Sequence, residues 1–135
     1  RYTGQERFLR TARRCADYYI ENTPEHGVPP NDWDEPDPEV SYESSAAAIA
    51  SAGMLRLAGF VHDAAAAEGY RRYALRILDT LTEPEFLAAE TPGWEGILKH
   101  GIYHADKNLG VDESTMWGDY FFLQALTEAL DSGSE

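Results

Sequence analysis

The chain has 135 residues, enough for one domain with a real core, of which 43% are hydrophobic, and its formal net charge is −13. That apolar content excludes a disordered chain, and Glu, Arg or Asp interrupts every apolar run before it reaches the length of a membrane span. The acidic balance argues against nucleic acid and against an anionic membrane as partners, and the single cysteine, Cys15, excludes an intrachain disulfide framework.

In chain order, Phe8, Ala12, Cys15, Ala16 and Tyr19 recur at helical spacing, while Arg7, Arg10, Arg13, Arg14 and Asp17 form the opposite, wet face. The pattern predicts a helix from about Gln5 to Glu21, capped by Thr3. "NTPEHGVPPND" ends it, since three prolines and a glycine leave the backbone no helical option. A loop through Val40 follows, and Trp33 is its only side chain large enough to serve as an anchor.

A second helix is expected to open at Ser41, with Glu43 and Ser44 in its first turn, and to reach Leu57 before Gly59 stops it. From Ala46 onward this stretch, "AAAIASAG", is small or apolar nearly all the way round. Asp63 should cap a third helix that turns Ala67, Tyr70, Ala74, Ile77, Leu78 and Leu81 inward. Glu68, Arg71, Arg72, Arg76 and Asp79 face outward. A short helical turn is expected after Pro84.

"GILKHGIYHADKNLGVD" lacks a helical period and reads as an irregular loop or short hairpin. Ser114 is then expected to cap a last helix through Leu130, with Met116, Trp117, Tyr120, Phe121, Leu123 and Leu126 covering most of its circumference. The predicted order is outer helix, helix packed all round, outer helix, helix packed all round. The fold class is all-α. Such alternation suits an α/α barrel, and a plain bundle with one buried central helix would suit it equally.

Two blocks go beyond pattern. "YESSAAAIASAGMLRLA", preceded by "VPPNDWD", and "GILKHGIYH…GVDESTMWGDYFFLQAL" resemble the late-chain signatures of the unsaturated glucuronyl hydrolases, glycoside hydrolase family 88. The opening thirty residues fit the helix before them, so the resemblance covers essentially the whole chain. A related family acting on unsaturated rhamnogalacturonides shares the "ESSA" helix but fits the "WGDYFF" ending less well. The resemblance implies that residues 1–135 are the C-terminal part of an (α/α)6 barrel forming a single catalytic domain. The implied partner is an unsaturated uronyl oligosaccharide, with no metal or organic cofactor.

In the implied chemistry an aspartic acid protonates the vinyl-ether double bond, water adds to the other carbon, and the resulting hemiketal falls apart. The family's two catalytic aspartates belong to motifs of its first half, and neither motif occurs here. The catalytic aspartates are therefore expected upstream, and the chain alone is expected to be inactive. Missing hairpins would leave apolar patches that favour a homo-oligomer. The chain opens at Arg1 and not at Met, so the lack of a visible signal peptide is uninformative, and the cytoplasm is the expected compartment. The competing reading is a stand-alone, non-catalytic helical module that binds protein or glycan.

The strongest candidate site is His100, Gly101, Tyr103 and His104, since a flat Tyr ring beside His donors suits a sugar; Trp33 is expected to wall the same end. Some family members carry "SxxSxK" here to hold a sulfate. This chain has Gly101, His104 and Asp106 at those positions, so an unsulfated partner sugar is favoured. The plainer reading has His100 and His104 satisfying loop carbonyls, and His-x3-His without a third ligand is a weak zinc signal. Asp32 and Asp34 are expected to make turn hydrogen bonds, Asp112 and Glu113 to cap the last helix, and Asp119 to accept from neighbouring backbone or hydroxyl groups.

Overall fold

The computed structural model describes residues 4–34 and 42–132. Four helices form: α1 (Glu6–Asn22), α2 (Ser44–Ala58), α3 (Ala64–Leu81) and α4 (Met116–Ser132). Between α3 and α4 lies a two-stranded antiparallel hairpin, β1 (Gly101–His104) and β2 (Leu109–Glu113). The turn expected after Pro84 takes the form of a single 3-10 turn at Ala88–Glu90.

Helix α2 lies at the centre, with α3 and α4 packed against it. Its Ala47, Ala48 and Ser51 are fully buried and Ala52 nearly so. Side chains this small let the neighbouring backbone come close, and the Ser51 hydroxyl donates across the gap to the Ala74 carbonyl of α3 at 3.0 Å. That contact answers why the segment is small all round: polar and apolar positions alike face another helix. The coverage is incomplete, because Ile49 is 41% exposed.

Helix α3 follows its sequence pattern. The Asp63 carboxylate accepts from the Ala66 amide at 2.8 Å, and Tyr70, Ala74, Ile77, Leu78 and Leu81 are buried. Helix α1 departs from its pattern. Ala16 and Tyr19 are buried with Leu9 and Ile20 partly so, whereas Phe8, Ala12 and Cys15 are exposed. The C-terminal half of α1 is held by Tyr19, whose hydroxyl donates to the Gly27 carbonyl at 2.9 Å. Its N-terminal half lies across an open groove from Gly53 and Leu57 of α2, so the periodic stripe there has nothing to meet.

Two helix starts differ from expectation. Thr3 and Ser41 lie outside the described residues, but α1 is preceded by Gln5 without a side-chain cap, and α2 begins at Ser44 with Glu43 as its cap. At α4 the cap is Thr115, whose hydroxyl accepts from the Gly118 amide at 3.2 Å. Ser114 is engaged elsewhere, donating to the Leu98 carbonyl and accepting from the Trp94 indole. Helix α4 is also more open than expected. Phe122 and Ala125 are buried on α2, while Met116, Tyr120, Leu123 and Leu130 are each more than half exposed. Helix α4 packs mainly against α2 and also meets α3, Tyr103 and the Ile97–Leu98 backbone.

The loops at one end of the helices form a continuous aromatic seam. His26 meets Tyr42 edge-on at 5.0 Å, Tyr42 meets Phe86 at 5.5 Å, and Phe86 meets His100 at 5.8 Å. The Thr80 hydroxyl donates to the His26 carbonyl at 2.7 Å. The C-terminal ends of α1 and α3, the start of α2 and the hairpin therefore share one end of the molecule.

Candidate functional site

The hairpin owes its shape to backbone chemistry. Asn108 takes a left-handed conformation (φ 49°) at the turn, a region Asn tolerates better than most residues, and its amide donates to the Ala105 carbonyl at 2.8 Å. Ile102 pairs with Val111 and His104 with Leu109, which leaves Tyr103 opposite Gly110. Gly110 has φ 54°, and a Cβ there would fall 3.1 Å from the Tyr103 Cβ. Alternation then buries Ile102 and sends Tyr103 outward, 65% exposed.

Tyr103 is exposed but supported. Its ring lies 5.8 Å from that of Trp117, tilted by 56°. The Trp117 indole N–H donates to the Ser45 hydroxyl at 2.9 Å, and Ser45 in turn donates to the Glu43 carboxylate at 2.7 Å. Glu43 accepts as well from the Ser45 and Ala46 amides in the first turn of α2 and from the Ile102 amide of β1 at 3.1 Å. A single carboxylate thus caps one helix at its positive end and pins the hairpin to it. Sequence reading placed Glu43 in a helix turn and missed this second role, since its partner lies 59 residues away.

The expected site residues separate into two groups. Tyr103 and the partly buried His104 stay at the surface of the hairpin. His100 is drawn into the scaffold: its ring pairs with Asp112, its carbonyl accepts from the Ser44 amide at 3.0 Å, and its φ is 63°. Gly101 is buried, and a Cβ there would lie 2.8 Å from the Glu113 carbonyl oxygen, so its lack of a side chain shapes the strand.

Trp33 sits at the same end but is anchored apart from the hairpin. Its indole donates to Thr23 at 3.2 Å, and its ring meets Tyr18 and Tyr19 edge-on at 5.4 and 5.8 Å.

Among the carboxylates, Asp32 accepts from the Asp34 amide at 3.0 Å, a turn bond as expected. Asp119 accepts from the Ile97 and Leu98 amides at 3.0 and 2.9 Å, a backbone-holding role also as expected. Asp112 does not cap α4, because His100 claims it. Asp106 is exposed on the turn. Among the described residues, no group of three or more His, Cys, Asp or Glu side chains is placed to hold a metal ion. Burial pushes the Tyr19 hydroxyl far above the usual tyrosine range, with Tyr73 and Glu43 adding to the rise.

No protein-family model matches the chain. It is 34% identical over 131 residues to the unsaturated glucuronyl hydrolase of Formosa agariphila, a match covering 93% of this chain and 31% of that protein. It is 32% identical over 127 residues to the unsaturated glucuronyl hydrolase of Bacillus sp. (strain GL1), covering 93% of this chain and 34% of that one. The fold superposes on the crystal structure of an unsaturated glucuronyl hydrolase specific for heparin with a TM-score of 0.89 at 28% identity, over 98% of this chain and 36% of that chain. The chain spans about a third of the length of the relatives it matches. Its alternating helices are those of part of an α/α barrel.

Proposed function

We propose, for a chain related in sequence and in fold to the unsaturated glucuronyl hydrolases, that it forms the C-terminal third of a glycoside hydrolase that releases 4,5-unsaturated uronic acid from lyase-generated oligosaccharides. The observation that carries this reading is the superposition of 98% of the chain on 36% of a hydrolase chain. The reaction implied is hydration of the vinyl-ether double bond followed by collapse of the hemiketal. The protonating aspartic acid and its partner carboxylate belong to the part of the enzyme preceding this chain.

What this chain contributes is a wall for the sugar beyond the cleaved bond. Tyr103 offers a ring face and His104 a hydrogen-bonding edge. Glu43, Ser45 and Trp117 hold that face in place through the contacts described above. Trp33, in the loop after α1, borders the same end with its ring against Tyr18 and Tyr19. Asp106 on the turn would repel a sulfate, which favours an unsulfated partner sugar.

The test is an assay of an unsaturated uronyl disaccharide by loss of the ultraviolet absorbance of its conjugated double bond. The 135-residue chain alone should leave the absorbance unchanged, and the product of the longer reading frame that contains it should abolish it. Turnover by the short chain, or none by the long one, would overturn the assignment.

A further inference from the structure

The outer surface between α1 and α3 carries a charge pattern that the hairpin does not use. Arg7, Arg10, Arg13, Arg14, Arg71, Arg72 and Arg76, seven of the chain's eleven Lys and Arg residues, lie on these two helices of a strongly acidic chain. An open groove of about 440 Å³ runs between the helices, with Arg13, Arg72 and Arg76 on its walls and Gly69 leaving its floor without bulk. The one carboxylate in its lining, Asp17, is already engaged by the Tyr70 hydroxyl at 2.6 Å.

The groove also has a direction. Arg76 lies over the Tyr73 ring at 5.8 Å and reaches the Glu25 carbonyl at 3.4 Å. Glu25 belongs to the loop that leads to Trp33, so the groove opens toward the end of the molecule that carries the hairpin. Tyr73 borders it, and the Tyr73 hydroxyl is buried without a hydrogen-bond partner among the described residues. Two exposed guanidinium groups flanking a shallow channel present forked donors that match a planar carboxylate.

We propose that this groove is a second saccharide site, where Arg72 and Arg76 hold a uronate carboxylate on the part of an acidic oligosaccharide that extends beyond the hairpin. The choice of a uronate rests on the hydrolase reading above. The groove itself rests on the placement of the arginines. In a chain of net charge −13, α1 and α3 carry seven arginines against the five carboxylates of Glu6, Asp17, Glu21, Glu68 and Asp79, so a polyanionic sugar meets less repulsion here than the net charge implies.

The chain is titrated with a saturated hexasaccharide containing glucuronate, which has no double bond to hydrate, and with its carboxyl-reduced counterpart. Inorganic phosphate is a third arm, and backbone amide signals are followed by nuclear magnetic resonance. The hexasaccharide should shift Gly69, Arg72 and Arg76, and the reduced sugar should bind at least about tenfold more weakly. Arg72→Gln with Arg76→Gln should abolish the shifts while leaving the far-ultraviolet circular dichroism unchanged, since both side chains are exposed.

Equal binding of the reduced sugar, unchanged shifts in the double variant, or displacement of the hexasaccharide by an equal concentration of phosphate would each overturn the site. Shifts confined to Tyr103 and His104 would overturn it too, and would leave the hydrolase reading standing. Groove binding of the uronate sugar beside an inactive long enzyme would support the site and remove the hydrolase reading.

Discussion

The Ser45 hydroxyl receives the Trp117 indole N–H at 2.9 Å, tying the first turn of α2 to the first turn of α4. Because Ser45 is buried, Ser45→Ala leaves both the indole and one oxygen of Glu43 short of a partner. A loss of about 1–3 kcal/mol is expected, read as a lower urea midpoint at constant slope. A change below a few tenths would mean that water replaces the hydroxyl without cost.

Glu43 should be separable into cap and pin. Glu43→Ala removes the acceptor of the Ser45, Ala46 and Ile102 amides and should cost about 2 kcal/mol, with faster exchange of the Ile102 amide. Glu43→Gln keeps one carbonyl oxygen and should recover part of the stability. If Ile102 exchange is unchanged in both variants, β1 is held by other contacts.

Gly101 and Asp106 should respond oppositely to substitution. Gly101→Ser drives a side chain toward the Glu113 carbonyl and the Thr115 methyl group, and a loss of about 1–3 kcal/mol is expected in thermal unfolding. A sulfate-binding serine therefore cannot be installed there without distorting the strand. Asp106→Lys, on the exposed turn, should leave the melting temperature within a degree or two and raise the preference of the complete enzyme for a sulfated disaccharide.

In the complete enzyme, Tyr103→Ala should raise KM more than it lowers kcat, by about 0.5–1.5 kcal/mol of binding. The ring is largely exposed, so stability should hardly change. Kinetic constants equal to the parent's would reduce the hairpin to a structural element.

Alkaline pH should weaken the fold. Burial raises the Tyr19, Tyr70 and Tyr73 hydroxyls above their ordinary value, so the folded state keeps protons that the unfolded state gives up. The stability they contribute is complete below about pH 10 and falls as the pH rises above it. Tyr19→Phe should lower stability at neutral pH by about 1 kcal/mol through the lost bond to Gly27, and should flatten the alkaline decline. Melting temperatures from pH 8 to 11 measure both effects, and an identical decline in parent and variant would exclude Tyr19 as a source.

Features that are local or periodic were legible along the chain. The Asp63 cap, the inward row from Tyr70 to Leu81, the break at Thr23–Pro30 and the glycine-bearing hairpin all follow from neighbours within a few residues. The family was legible for the same reason, since its signatures are contiguous strings. Tertiary structure decided which periodic face is covered. Phe8 and Ala12 sit on the predicted stripe and remain exposed because α2 lies across an open groove, and Met116 and Tyr120 remain exposed because α4 packs mainly on α2 through its other face. It also decided the site. Glu43 meets Ile102 across 59 residues and Trp117 meets Ser45 across 72, and no spacing rule reports a hydrogen bond whose partners are brought together only by packed helices.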